Sequence, residues 1–436
     1  MDYLYIDEKG PQEKIRITNP YNQSKKIKLG NDNMYVYVAD IVKINEKNIS
    51  EIINKYQLLE KNYMSSRNFN PKKELKGKDI LKKNFQYGVA SLKDREVNFY
   101  NSLFDLLLKN RVDNLLFSIN KMSLVADHRL LEWIFKLEEA RVIVSAKLFK
   151  YSLVKYLENE AGDNVIQSIF DPQKKNKDIL IEIQKDMETF ISKHNNIQRM
   201  KLQIQNYGDI INIIRETQHL IQEKPFNEVL FNWDKVSFNV DLWLLEMKDA
   251  NKIDMQSLEL ILDEGIPLKP FKQLNIPSIK ESEDSATHVG LRISDVLVVI
   301  SGKLISNLAQ DVKYNKNNPQ KRTLLPIEWF QLNEQQFYLL KKMKEYFFPN
   351  NSRYCFIVDT YFDDALLFES YCRYISTYEN FHDYKKYFKV HVDEHYNYLE
   401  TMIRNKYDLA VKTALITKEH YGSTRSAIKA GLLRPI

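Results

Sequence analysis

The sequence predicts an α/β fold on three observations. Alternating apolar runs read as strands: YLYI at 3–6, MYVYVADIVKI at 34–44, and later SLELILDEG at 257–265. From about 126 to 250 the apolar residues recur at helical spacing, as in ILIEIQKDMETFISKHNNI. Only 11 Gly and 12 Pro occur in 436 residues, which favours long helices over a loop-rich β architecture.

Taken in order, YLYI ends in Asp7-Glu8 and the turn residues Lys9-Gly10-Pro11. KIRIT (14–18) and KKIKLG (25–30) read as further β-like pieces before MYVYVADIVKI. Asn48-Ile49-Ser50 is placed to cap a helix carrying Ile52, Ile53, Tyr56 and Leu59. PKKELKGKDILKK (71–83) is polar and basic, and LLFSINKMSL (115–124) reads as another strand. DPQKKNKD (171–178) is the clearest loop of the helical stretch. HVGLRISDVLVVISGKLISNLAQ (288–310) predicts a largely buried helix interrupted by Asp295, Ser301 and Lys303. Beyond the loop KYNKNNPQKR, the chain from about 324 reads as Tyr- and Phe-rich helix, and no internal repeat is visible.

A formal charge of +6 is compatible with nucleic acid as partner but too small to require it. Two cysteines, Cys355 and Cys372, provide neither a disulfide framework nor a zinc cage, and their apolar surroundings read as buried thiols. With no basic-then-apolar leader and no run of membrane length, a soluble cytoplasmic protein is expected.

The chemistry concentrates in carboxylates. YLYIDE and LELILDE are both apolar strands ending in Asp-Glu, and Asp295 stands inside the apolar VGLRISDVLVVI. A buried, unpaired Asp costs several kcal/mol, so Asp295 calls for a cation, a hydrogen-bond partner or a proton. Two neighbouring strand ends and one helix can gather Asp7, Asp263 and Asp295 around one point. Carboxylates gathered in this way need a positive counterpart, and all-oxygen ligands favour Mg²⁺ or Mn²⁺.

Four short motifs, in order, resemble those of the family known as domain of unknown function 3800, whose members resemble ribonuclease H-like metal nucleases. They are Tyr5-Ile6-Asp7-Glu8, Glu74-Leu75-Lys76, Ile261-Leu262-Asp263-Glu264, and Gly290-Leu291-Arg292-Ile293-Ser294-Asp295. The resemblance covers roughly the first 310 residues. It implies a ribonuclease H-like mixed sheet assembled from residues 1–125 and 255–310, a helical insertion at 126–254, and a C-terminal helical domain at 311–436. It further implies Asp7, Glu74, Asp263 and Asp295 as ligands of two Mg²⁺ ions in a nuclease hydrolysing DNA or RNA, with prokaryotic phage defence as the context. The family's Ser after Asp-Glu is Lys9 here, and its Gln and Ala before the helix Asp are Arg292 and Ser294. Lys76, with Lys9 and Arg292, is placed to meet nucleic acid, and His288 to shuttle a proton.

Rival features are weaker. HVDEH at 391–395 matches an inverted zincin motif, but its flanks fit an ordinary amphipathic helix. Asp359, Asp363 and Asp364 read as helix-capping acids. No Walker loop, dinucleotide fingerprint or nucleophile elbow is present. The alternative from a different class is a non-catalytic subunit that binds nucleic acid or a protein partner through its helical parts, its acidic core balanced by Lys9 and Arg292.

Overall fold

The protein is described by a computed structural model over residues 1–9, 15, 17, 36–67, 69, 73–81, 85–223, 229, 231, 233–314, 323–350, 356–358 and 364–431. Its strands are β1 (Asp2–Lys9), β2 (Val36–Ile44), β3 (Asp113–Asn120), β4 (Leu258–Asp263), β5 (Ser278–Glu283), the short pair β6 (Lys313–Tyr314) and β7 (Thr323–Leu324), and β8 (Phe356–Val358). A six-stranded mixed sheet has the order β5-β4-β1-β2-β3-β8. β2 is antiparallel to β1 and β3, while the β1–β4, β4–β5 and β3–β8 pairs are parallel, so β2 alone runs against the rest.

In chain order the helices are α1 (Glu46–Ser66), α2 (Gly77–Ile80), α3 (Asp94–Lys109), α4 (Lys121–Glu139), α5 (Ala146–Asn159), α6 (Asp163–Phe170), α7 (Asn176–His194) and α8 (Lys201–Glu216). They continue with α9 (Trp233–Asp249), α10 (Val289–Asp311), α11 (Glu334–Phe347), α12 (Asp364–Ile375), α13 (Phe381–Lys386), α14 (His391–Tyr421) and α15 (Thr424–Lys429). Among the described residues no helix is long and apolar enough to cross a membrane.

Helices cover both faces of the sheet, which is why β2 is buried along its whole length. Strand alternation divides the core in two. Tyr5, Val38, Val42 and Ile261 point into one core, shared with α10 and residues of α1, α3, α11 and α12. Leu4, Ile6, Ile41, Leu260 and Leu262 point into the other, shared with α4 to α9. The stretches 126–254 and 311–436 therefore lie mainly on opposite faces, and the second also contributes β8 to the sheet edge. Each fully buried aliphatic of α10, such as Leu291, Val296 or Ile300, contributes about 1.5–3 kcal/mol by leaving water. α14 joins the two sides: its start packs near α12, while α15 is tied to α4 by Thr424 N–H to Glu138 Oε2 (2.7 Å) and Arg425 to Glu132 (2.8 Å).

Several boundaries differ from expectation. α1 begins at Glu46 after Asn45, ahead of the cap expected at Asn48–Ser50. The strand expected over 115–124 stops at Asn120, because its side chain accepts from Ser123 N–H (3.0 Å) and starts α4. The loop expected over 171–178 is shorter, α7 starting at Asn176. Of KIRIT only Ile15 and Ile17 are described, Ile15 bridging to Val229; KKIKLG, Cys355, Asp359 and Asp363 lie outside the described residues. Asp364 opens α12, and Cys372 is buried in the same helix.

Candidate active site

Parallel pairing of β1 with β4 sets Ile6 beside Leu262, so Asp7 and Asp263 emerge side by side at the carboxyl ends of adjacent strands. The two Asp-Glu echoes thus meet in space. Asp7 and Asp263 have the parity of Tyr5 and Ile261 and face α10, whereas Glu8 has the parity of Leu4 and Ile6 and faces the other layer. Glu264 is exposed.

α10 reaches the strands because Gly290 carries no side chain. A Cβ there would lie 2.3 Å from the Tyr5 ring. Farther along α10, Ser294 donates to Asp40 O (2.8 Å), and Asp295 Oδ2 accepts from Gly77 N–H (2.6 Å). That second bond draws in the loop holding Glu74 and Lys76. Lys76 Nζ lies 2.9 Å from Glu74 Oε1 and donates to Ser285 Oγ (2.6 Å), tying the loop to the turn before α10.

Asp7, Glu74, Asp263 and Asp295 therefore share one electrostatic neighbourhood. Burial holds the Asp7 carboxyl well above the usual range, and Asp295, Glu8 and Asp263 push it further. Burial also raises Asp263, with repulsion from Asp295 and Glu74 added and Lys76 opposing. Asp295 is raised by burial and by Glu74, while Gly77 N–H, Lys76 and Lys9 draw it back.

Among the described residues no three His, Cys, Asp or Glu side chains converge as a ready coordination shell. The side chains take local partners instead. Asp7 Oδ1 accepts from Glu8 N–H (2.6 Å), Asp295 is held by Gly77, and Glu74 is paired with Lys76. The carboxylates alone are donors of the kind a hard dication takes, whereas the ammonium of Lys76, paired with Glu74, competes with one.

The remaining sequence candidates separate. Lys9 ends β1 two residues after Asp7, with the same parity, and its charge draws the Asp295 carboxyl down. Arg292 is only 7% exposed, and its donors are taken by protein: Nε and Nη2 donate to Glu60 (2.9 and 3.1 Å), and Nη1 to Ser285 O and Ala286 O (3.1 and 3.0 Å). The Arg292 donors, expected to meet nucleic acid, are directed at protein acceptors in a buried salt bridge with Glu60. His288 precedes α10, its Nε2 2.7 Å from Glu283 Oε2.

In the HVDEH segment, His391 Nδ1 meets Tyr374 OH (2.8 Å) and Nε2 meets Tyr384 O (2.9 Å), while His395 Nε2 meets Ser370 Oγ (3.2 Å). Burial pushes His395 down to about 3. These are core histidines.

Sequence reasoning missed Glu60, Gly77, Ser285 and Asp40. Asp40 sits opposite Asp7 on β2, fully buried, with Asn114 donating to Oδ1 and burial raising its carboxyl. Like Asp295, Asp40 is a lone acid in an apolar run, and that pattern is its signal in the sequence. Comparison of the chain with family models, with curated proteins and with solved structures returned no match.

Proposed function

We propose that the protein is a Mg²⁺- or Mn²⁺-dependent nuclease of ribonuclease H-like type, similar to the domain of unknown function 3800 family, hydrolysing phosphodiester bonds of DNA or RNA. One observation carries this reading: parallel strands deliver Asp7 and Asp263 together, facing Asp295 and Glu74, and burial with mutual repulsion raises the Asp7, Asp263 and Asp295 carboxyls. Sites at the carboxyl ends of strands in a mixed α/β sheet are a common placement for ligands.

Asp7 and Asp263 would hold the metal from the strand side, with Asp295 and Glu74 completing the set. Mg²⁺ or Mn²⁺ held there would supply an activated water and charge neutralisation at the scissile phosphate. The chain does the rest. Lys76, anchored to Ser285, orients Glu74 and offers a point charge to a phosphate oxygen; Lys9 balances Asp295; and His288, held by Glu283, can take or give a proton at Nδ1.

Cleavage of mixed single- and double-stranded DNA and RNA with Mg²⁺ or Mn²⁺ tests the proposal. Activity is expected in wild type and lost in Asp7→Ala and Asp263→Ala. Equal activity in all three proteins, or none in wild type, would end it.

A second reading, a non-catalytic binding subunit, draws on the Lys76–Glu74 ion pair and the nearby Lys9, which place cations inside the cluster. It expects no heat of Mn²⁺ binding in calorimetry.

A further inference from the structure

Beside the carboxylates, and sharing Glu74 with them, lies an open cleft of about 560 Å³ between α1, the loop at 73–75 and the turn before α10. That volume lies within the range of sites for small organic ligands. Its walls differ in character. Met64, Leu75 and Phe69 are apolar, whereas Lys61 and Lys73 are exposed at its edge and have no ion-pair partner among the described residues. Glu60, only 8% exposed, supplies a carboxylate to the lining.

Glu60 is rigidly presented. Arg292 grips both of its oxygens (2.9 and 3.1 Å) and is itself anchored to the carbonyls of Ser285 and Ala286. A carboxylate has about four lone-pair sites, so two remain for another donor. An apolar wall, a fixed acceptor and two cations together suit a flat, amino-bearing heterocycle attached to a phosphate.

We infer that this cleft is a base-binding subsite. It takes one unpaired nucleotide of a DNA or RNA strand, with an amino-bearing base against Glu60 and its flanking phosphates at Lys61 and Lys73. The inference rests on the nucleic-acid reading of the adjoining carboxylates and adds a preference to it. Cytosine donates an exocyclic N–H to a carboxylate. Thymine and uracil turn carbonyl oxygens toward it on both sides of their single N–H, which a carboxylate repels. Phe69 and Met64 supply contact to either base and do not discriminate.

Fluorescence anisotropy with labelled dC₁₂, dT₁₂, rC₁₂ and rU₁₂, in Ca²⁺ to hold the acidic cluster without turnover, tests the inference. Cytosine oligomers are expected to bind about tenfold tighter than the thymine or uracil oligomers, and the series showing the larger difference identifies the strand bound. Glu60→Gln should abolish the preference. Phe69→Ala should weaken both sequences, and the Lys61→Ala/Lys73→Ala double variant should do so with a shallower salt dependence. Phe69 is only half-buried, so Phe69→Ala keeps the test usable if Glu60→Gln unfolds. Equal binding of cytosine and thymine or uracil oligomers, or full affinity in both Phe69→Ala and the lysine double variant, overturns the subsite. Absence of metal-dependent cleavage with the preference intact would sink only the nuclease; cleavage with no preference would sink only the subsite.

Discussion

Asp295 Oδ2 accepts a 2.6 Å hydrogen bond from the backbone N–H of Gly77, across 218 residues of sequence. This bond sets how closely the Glu74–Lys76 loop approaches α10. The approach demands glycine: a Cβ on Gly77 would lie 2.9 Å from Asp295 O and 2.9 Å from Val299 Cβ. Gly77→Ala is therefore expected to lower unfolding free energy by about 1–3 kcal/mol, read from urea denaturation. An unchanged midpoint would mean that the loop is not held this way.

The buried carboxylates predict how stability changes with pH. Asp7, Asp263 and Asp295 are all held above the ordinary range, by burial first, with repulsion adding to it. The folded state thus keeps protons that the unfolded chain releases. In chelator, their contribution to stability falls as pH rises from about 4 through the elevated folded values. Asp7→Asn should raise the melting temperature by several degrees at pH 8 and change it little at pH 4. A lower melting temperature at pH 8 would contradict the electrostatic picture.

Arg292 and Glu60 form a buried pair whose loss leaves a charge uncompensated. Arg292→Met is expected to cost about 3–5 kcal/mol in denaturant unfolding. Arg292→Lys should recover only part of this, because an ammonium cannot reproduce the two-point grip on Glu60. Full rescue by lysine would show that charge alone, without geometry, matters there.

His395 is neutral in the fold, with burial pushing it down to about 3. Between roughly 6.5 and that value the unfolded chain binds a proton that the fold refuses, so stability falls with falling pH by up to about 1.4 kcal/mol per unit. His395→Gln should flatten this acid limb, at the cost of about 1 kcal/mol at pH 7 from disturbed packing and the Ser370 hydrogen bond. Zinc should leave the melting temperature of both proteins unchanged. A zinc-dependent rise lost in the variant would revive the metal-site reading.

Much of the architecture was legible in local pattern. Alternation marked β1 and β4, and a long apolar stretch with few interruptions marked α10, because each such element must bury one face whatever surrounds it. The end of β3 was not, since one side-chain hydrogen bond at Asn120 decides it. β8 was hidden too: three residues at a sheet edge carry too little pattern to stand out among helices. In the candidate site, Asp7, Asp263 and Asp295 stood out as acids at strand ends or inside apolar runs. Glu60 and Gly77 did not. One looks like a solvated helix residue and the other like a loop glycine until their distant partners are known.

The sequence by itself determined the main strands and helices, β1, β2, β4 and α10 among them, and marked Asp7, Asp263 and Asp295 as acids where charge is costly, because both follow from neighbours a few residues apart. Only the tertiary structure decided what those acids meet. The parallel β1–β4 register sets Asp7 beside Asp263, the bare Cα of Gly290 lets α10 close on Tyr5, and the Gly77–Asp295 bond draws in Glu74 and Lys76. It also decided the fate of two cations. Arg292 is buried against Glu60, its donors taken by that carboxylate and two backbone carbonyls, while Lys9 draws the Asp295 carboxyl down. The physical reason is common to all of these: they are contacts between residues tens to hundreds of positions apart, set by packing and register that local periodicity does not encode.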